Sequence, residues 1–311
     1  MSLLPVLLAL VPVVVLIAFG FALRRVPGFT ADEFWSGAEK LAYYCLLPVL
    51  LFSSVAEVDV AHVPILRLGI ALVAPTVVIS LAIILLRRVI AGDLRSFTSV
   101  LQGGVRFNTY IGLSIAASLY GTEGGALAAI VAAILVPTVN IFSSLGFEFL
   151  RTGPSSVLGI IRSIATNPLV IGCVAGGVWN LLGLPIPTLL GSVLDPLSAA
   201  ALPVGLLCVG AGLRPFSLRE HALALISSTA TKLILLPGLS LLALHLFDLP
   251  PTAAMVGMIF QAIATASSGY VMARQLGGNA ELMAALIAAQ TLLMLLTLPP
   301  VLLIAELVLG G

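Results

Sequence analysis

The chain has 311 residues, of which 60% are hydrophobic and 9% are charged, and its formal net charge is +1. Soluble proteins carry roughly a quarter charged residues, so this composition excludes an ordinary soluble domain and predicts an integral protein of the lipid bilayer. The net charge gives no reason to expect a nucleic-acid partner. Cys45, Cys173 and Cys208 each lie in an apolar run, which favours neither a disulfide framework nor a metal site.

Apolar runs long enough to cross a bilayer divide the chain into ten predicted spans. They cover about residues 3–23, 38–56, 66–86, 99–120, 124–146, 163–183, 190–213, 221–246, 251–274 and 281–306. In the seventh span Asp195 precedes Pro196, which is typical of an N-cap before a first-turn proline, so we predict that a helix begins there.

The basic residues predict the orientation. Ten of the 14 Lys and Arg residues lie in or beside the odd-numbered connections: Arg24, Arg25, Arg87, Arg88, Arg95, Arg151, Arg162, Arg214, Arg219 and Arg274. The positive-inside rule places these connections in the cytoplasm and both termini outside it, extracellular or periplasmic. We therefore expect a multi-pass protein of the plasma (inner) membrane.

The two halves of the chain resemble each other. GALAAIVAAI at 125–134 aligns with ELMAALIAAQ at 281–290, and VPVVVLIAFG at 11–20 aligns with NPLVIGCVAG at 167–176, both at an offset of 156. LLPVLLF at 46–52 aligns with ALPVGLL at 201–207 at an offset of 155. Five spans are an odd number, so repeats over 1–155 and 156–311 would be inserted in opposite directions. Inverted repeats are typical of secondary transporters.

The fourth and ninth spans predict interrupted helices. RFNTYIG at 106–112 and ATASSGY at 264–270 combine small residues with hydroxyl or amide side chains in mid-span, where non-helical backbone needs polar partners. Continuous helices whose small residues pack against neighbours are the alternative. The start of a half-helix also favours a bound anion. The predicted substrate-binding residues at these two places are Asn108, Thr109, Tyr110, Gly112, Thr265, Ser267, Ser268 and Gly269.

Several motifs then resemble a known family. They are RFNTYIGL with LYG at 119–121, NPLVIG at 167–172, ALPVGLLCVGAGL at 201–213, KLILLP at 232–237, TASSGYVMA at 265–273 and TLP at 297–299. In their order and spacing, the chain resembles the auxin efflux carrier family, including its bacterial members. It departs from the family at Ser114 and Ala264, where members usually have the crossing prolines, and at Ser268, where asparagine is frequent.

The resemblance implies an all-α membrane protein of ten transmembrane helices, arranged as a 5+5 inverted repeat with crossed, broken fourth and ninth helices. It also implies a scaffold of spans 1, 2, 6 and 7 and a moving transport domain of spans 3–5 and 8–10. Such carriers work by an elevator-like mechanism, often as homodimers. Their substrates are small organic anions, such as indole-acetic acid in plants and dicarboxylates in some bacterial members.

Other polar residues within the spans are further candidates. Arg106 either contacts the substrate or extends to the cytoplasmic edge of the membrane. Lys232 is too deep in its span to extend to the membrane edge, and we expect its ammonium to contact Asn140 or a carbonyl of a broken helix. There it would either replace a coupling cation or form a structural link between helices. Gln102 and Gln261 are candidates for a gate or for partners of nearby backbone groups. Asn140 is a candidate site residue or a link between helices, and Ser53 is a further candidate site residue.

These observations predict a carrier rather than an enzyme or a channel. The sequence has no HExxH motif, no paired acids within a span, and no ring of acids or carbonyl-rich filter sequence. The main alternative is a sodium-coupled symporter of the bile-acid type, but the fourth and ninth spans contain no Asp or Glu. A receptor-like binding protein is another alternative. We therefore predict uniport or exchange of a small carboxylate, with no cofactor and no metal.

Overall fold

The computed structural model describes residues 3–56, 63–150, 165–213, 221–266 and 268–309, and within these ranges every regular element is a helix. In chain order the helices are α1 (Leu3–Leu23), α2 (Asp32–Leu41), α3 (Leu47–Ala56), α4 (Ile65–Ile90), α5 (Leu94–Val105), α6 (Thr109–Glu148), α7 (Pro168–Leu181), α8 (Thr188–Gly212), α9 (Ala222–Ala230), α10 (Leu236–Leu246), α11 (Pro251–Ala262), α12 (Ser268–Leu276) and α13 (Ala280–Leu309). A π-helical turn over Ala42–Leu46 joins α2 to α3, and a second over Thr231–Leu235 joins α9 to α10.

Seven helical stretches among the described residues are long and apolar enough to cross a membrane. One of them, Leu94–Glu148, has 55 residues. At 1.5 Å per residue it would be roughly 80 Å long, more than twice the thickness of the hydrocarbon core. It is divided after Val105 and again at Gly121, whose φ of 61° and ψ of −143° are not helical. This stretch therefore contains the predicted fourth and fifth spans. Pro168–Leu181 and Pro251–Ala262 are shorter apolar helices within the predicted sixth and ninth spans.

Glycines allow two pairs of helices to pack with their backbones in contact. A Cβ atom on Gly20 of α1 would lie 2.1 Å from the carbonyl oxygen of Leu207 in α8. A Cβ atom on Gly176 of α7 would lie 2.6 Å from the carbonyl oxygen of Phe52 in α3. Both distances are shorter than van der Waals contact, so only glycine permits these two interfaces.

The predicted interruptions are present in both spans. The chain leaves the helix after Val105 and resumes it at Thr109, and it leaves again after Ala262 and resumes at Ser268. The two interruptions touch, because the backbone N–H of Asn108 donates to the carbonyl of Ala264 at 2.9 Å. The helices thus break although Ser114 and Ala264 replace the two prolines that are usual in the family that the motifs resemble.

The prediction that a helix begins at Pro196 is wrong. Pro196 lies inside α8, which begins at Thr188, so Asp195 is a mid-helix residue and not an N-cap. Proline is tolerated within membrane helices because neighbouring groups satisfy the freed carbonyl. The second span also begins earlier than predicted, at Asp32, where two acids in the first turn of α2 favour a helix start.

Candidate functional site

Side chains replace the hydrogen bonds that α11 loses where it ends. In a continuous helix the carbonyls of Phe260 and Gln261 would accept from N–H groups four residues later. Here they accept instead from Nζ of Lys232, at 3.4 and 3.2 Å. Lys232 is fully buried. The broken-helix carbonyl predicted as its partner is therefore confirmed, whereas Asn140 bonds elsewhere.

Gln290 of α13 connects the two interruptions. Its Oε1 accepts from the backbone N–H of Thr265 at 3.0 Å, and its Nε2 donates to the carbonyl of Gly103 at 3.0 Å. Met294, one turn further along the same helix, accepts at Sδ from the N–H of Ala264. One amide thus satisfies an orphaned donor of the ninth span and an orphaned acceptor of the fourth.

Asn108 forms the N-cap of α6. Its Oδ1 accepts from the N–H groups of Tyr110 and Ile111 at 3.1 and 3.3 Å. These are the groups that a bound anion would otherwise meet at the start of the half-helix. The cap uses the acceptor of the amide and leaves Nδ2 as its donor.

A cavity of about 390 Å³ lies beside the two interruptions. One wall comes from α2, the first π-helical turn and the first residue of α3, and the other comes from the interruptions and the helices around them. The lining residues are Ser36, Glu39, Lys40, Tyr43, Tyr44, Leu47, Arg106, Asn108, Thr109, Tyr110, Asn140, Ser144, Ala266, Ser268 and Met272.

Arg106 is the buried cation of this cavity, with 8% of its surface exposed. Its Nη1 donates to Oδ1 of Asn140 at 3.1 Å, to Oγ of Ser143 at 3.2 Å and to Sδ of Met272 at 3.2 Å. Its Nη2 donates to Oγ of Ser268 at 3.2 Å. Every one of these acceptors is neutral, and no carboxylate among the described residues forms an ion pair with Arg106. Within the part of the chain that the structure describes, the guanidinium is therefore a buried charge without an anionic partner.

Two further donors belong to residues of the cavity wall. Among the described residues, Nε of Arg106 and the hydroxyl of Tyr110 are buried and have no hydrogen-bond partner. The carboxylate of Glu39 also lines the cavity, so the wall carries groups of both charges. The unpartnered Nε of Arg106 is the charged one of these two buried donors, and an anion is the ligand that would complement it.

The structure brings about half of the predicted site residues to the cavity. Asn108, Thr109, Tyr110, Asn140, Ser268 and Arg106 line it. Gly112, Thr265, Gly269, Ser53, Gln102, Gln261 and Lys232 do not. Ser267 lies outside the described residues.

Most of the residues away from the cavity have local partners. Nε2 of Gln261 donates to the carbonyl of Leu72 at 2.8 Å and to Oγ1 of Thr76 at 3.2 Å, which ties α11 to α4. Oγ1 of Thr265 donates to the carbonyl of Gln102 at 3.4 Å. Ser53 accepts from Ser198.

Two glycines away from the cavity lie where helices pack closely. A Cβ atom on Gly112 would lie 2.8 Å from the ring of Phe260. One on Gly269 would lie 2.5 Å from the end of Met283. Each glycine thus occupies a place where a larger residue would displace a neighbour.

Gln102 is different from these residues. Its side chain is fully buried, and neither its Oε1 nor its Nε2 has a hydrogen-bond partner among the described residues. Its counterpart Gln261 is bonded, so the two glutamines do not share an environment. An unpaired buried amide destabilises the fold by about 1–3 kcal/mol.

The wall formed by the second span was not predicted from the sequence. Ser36, Lys40, Tyr43, Tyr44 and Leu47 recur at helical spacing, which is a weak signal that they share one face. The pattern alone could not show what that face meets. Ser143 and Met272, which receive hydrogen bonds from Arg106, were also not predicted.

Comparison with known proteins finds a similarity to one family. A family model described as membrane transport protein matches residues 155–302, just under half of the chain. No curated protein matches the chain. The matched region includes Lys232, the interruption in the ninth span and Gln290. Over residues 155–302 the chain is therefore similar to the membrane transport protein family, which is the auxin efflux carrier family that its motifs resemble and a family of transporters rather than of enzymes.

Proposed function

We propose that the protein is a secondary transporter of a small organic anion and that Arg106 binds the carboxylate. The observation that carries this proposal is the buried guanidinium of Arg106, which lines the cavity and has only neutral partners among the described residues. A charge in that position is stabilised when an anion binds beside it, because a buried ion without a counter-charge is costly. Guanidinium groups are also well suited to carboxylates, since they can donate two parallel hydrogen bonds.

The aromatic part of the wall favours an anion with an apolar or aromatic body. Tyr43, Tyr44 and Leu47 line the side contributed by the second span, and Tyr110 lies on the opposite side. Nδ2 of Asn108 is free of the helix cap and supplies a neutral donor. A cavity of about 390 Å³ falls within the size range of small-molecule sites.

We infer ten spans arranged as an inverted repeat, with a pair of equivalent contacts as support. The alignment of the two halves equates Gly20 with Gly176 and Leu207 with Phe52. The contact of Gly20 with Leu207 and that of Gly176 with Phe52 are therefore the same contact made twice. The two interruptions, which meet at Asn108 and Ala264, are consistent with crossed helices.

We infer that the cavity faces the cytoplasm. Ser36 and Lys40 lie near the start of α2, close to Arg24 and Arg25 of the preceding connection. Ser144, near the end of α6, also lines the cavity. In the orientation that the basic residues predict, these are cytoplasmic ends. We therefore infer an inward-facing state of an elevator-like carrier, with α2 and α3 in the static part.

The proposal is tested by the thermal stability of the purified protein in detergent, in sodium-free buffer. The probes are phenylacetate, indole-3-acetate, malonate and succinate, with phenylacetamide as the uncharged match of phenylacetate. A ligand that binds only the folded state stabilises it by about 2.7 kcal/mol at a hundredfold excess over Kd. We expect at least one carboxylate to raise the melting temperature, and Arg106→Gln to abolish that rise.

Two results would contradict the proposal. If phenylacetamide stabilises the protein as well as phenylacetate does, the substrate is neutral. If a carboxylate stabilises Arg106→Gln as well as the wild type, Arg106 does not bind it. A response to carboxylates that requires sodium would favour the bile-acid type of symporter instead.

A further inference from the structure

The C-terminal end of α11 has the features of a cation site. The last carbonyls of a helix carry the negative end of its dipole. Here the carbonyls of Phe260 and Gln261 have lost their helical donors, because the N–H groups of Ala264 and Thr265 donate to Met294 and Gln290. Such carbonyl ends of interrupted helices coordinate coupling cations in some transporters.

Lys232 places an ammonium group against both carbonyls. Its Nζ lies 3.2 Å from the oxygen of Gln261 and 3.4 Å from that of Phe260, and its side chain is fully buried. No carboxylate among the described residues forms an ion pair with Lys232. Among the residues that the structure describes, the ammonium is therefore held by the two carbonyls and by the helix dipole. It extends from a π-helical turn, a feature frequent at functional sites.

We propose that the end of α11 is a site for a monovalent cation and that its resident cation is the tethered ammonium of Lys232. A tethered cation is present at a high effective concentration, so free Na⁺ does not compete for the carbonyls. The consequence for transport, that the carrier needs no dissolved coupling cation, rests on the proposed function. The site itself does not, because it lies outside the cavity that holds Arg106.

Removal of the side chain tests the site by chemical rescue. In Lys232→Ala, n-propylammonium restores the missing three carbons and the ammonium group. We expect Lys232→Ala to lower the melting temperature by roughly 5–10 °C, as the loss of hydrogen bonds to a charged group would. We expect millimolar n-propylammonium to restore most of the lost melting temperature, and Na⁺ or K⁺ to restore a smaller part of it. Tetramethylammonium, which has no N–H donor, should not.

Lys232→Met is the matched control, since it fills the same space without a charge. Its melting temperature should fall and should not respond to n-propylammonium. A melting temperature of Lys232→Met at or above that of the wild type would overturn the proposal, and so would a Lys232→Ala protein that no small cation stabilises. If Lys232→Ala does not fold, Lys232→Met alone decides the question by the same criterion.

These measurements are made without any carboxylate, so they separate the two proposals. Failure of the anion site appears as a wild-type protein that does not respond to carboxylates. Failure of the cation site appears only in the Lys232 variants. If n-propylammonium restores the stability of Lys232→Ala and the variant then also regains the carboxylate response of the wild type, both proposals are supported.

Discussion

Gln102 and Gln290 are two buried glutamines that lie beside the same interruption and differ in their partners. Both are fully buried. The amide of Gln290 bonds to Thr265 and Gly103, whereas that of Gln102 has no partner among the described residues. The same side chain therefore stabilises the site at one position and destabilises it at the other.

Substitution of each glutamine by methionine is expected to have opposite effects. Gln102→Met removes an unpaired amide and should raise the free energy of unfolding by about 1 kcal/mol or more. Gln290→Met leaves an N–H and a carbonyl unpaired and should lower the free energy by at least about 2 kcal/mol. Thermal melting of the two variants in parallel checks whether each change in the free energy of unfolding has the expected direction. A destabilised Gln102→Met would mean that the amide has a partner in the native state.

Asn108 has two functions that substitutions can separate. Asn108→Ala removes the cap of α6 and should lower the free energy of unfolding by about 1 kcal/mol. Asn108→Ser keeps a capping oxygen and should retain most of the stability, but it loses the Nδ2 donor. If Nδ2 contacts the carboxylate, both variants lose the thermal shift produced by the carboxylate. A normal shift in Asn108→Ser would show that Asn108 is a cap only.

At the level of the helices, the close contacts of α1 with α8 and of α3 with α7 depend on single glycines. Gly20→Ala and Gly176→Ala each place a Cβ atom against a carbonyl oxygen and should lower the free energy of unfolding by about 1–3 kcal/mol. Gly238→Ala is the control, because nothing lies within 4 Å of its Cβ position and alanine favours a helix. Melting temperatures check the difference. Similar losses at Gly20 and Gly176 would agree with equivalent positions in a repeat.

The interruptions could be predicted from the sequence because they depend on local features. Small residues with hydroxyl or amide side chains occur in mid-span in both halves, and such groups can replace lost helical hydrogen bonds. The cap by Asn108 and the carbonyl partners of Lys232 follow from the same reasoning. The incorrect helix start at Pro196 came from a rule for soluble helices, which applies less strictly in a membrane.

The composition of the cavity could not be predicted in the same way. Tyr43 and Tyr44 enter it because α2 packs beside the interruptions, and no local pattern indicates which helix does so. The depth of Arg106 was also open, since an arginine near the end of a span can extend to the membrane surface. Thr265 and Gln261 looked like site residues because they are polar, but the backbone and α4 take up their hydrogen bonds.

At the level of the whole molecule, the proposed inward-facing state predicts which side of the membrane reaches the cavity. In a Cys45→Ala background, where Cys173 and Cys208 are buried, Ser144→Cys should react with an impermeant maleimide only from the cytoplasmic side. Leu184→Cys, in the exposed connection after α7, is the control and should react from the outside. Labelling of inverted and right-side-out vesicles shows from which side each of the two cysteines reacts. Reaction of Ser144→Cys from the outside alone would reverse the proposed orientation.

If the protein works as proposed, its two buried cations would make the empty carrier sensitive to voltage. Arg106 and Lys232 both lie in the proposed moving part, so an empty carrier would return positive charge across the membrane, and a bound carboxylate would cancel one unit of it. One unit moved through 100 mV corresponds to about 2.3 kcal/mol, a population ratio of roughly 50. A negative cell interior would then draw the unloaded carrier inward and reset it to collect its next anion from the cytoplasm. In this way an electrical gradient, without an ion binding alongside the substrate, would give the cycle an outward direction.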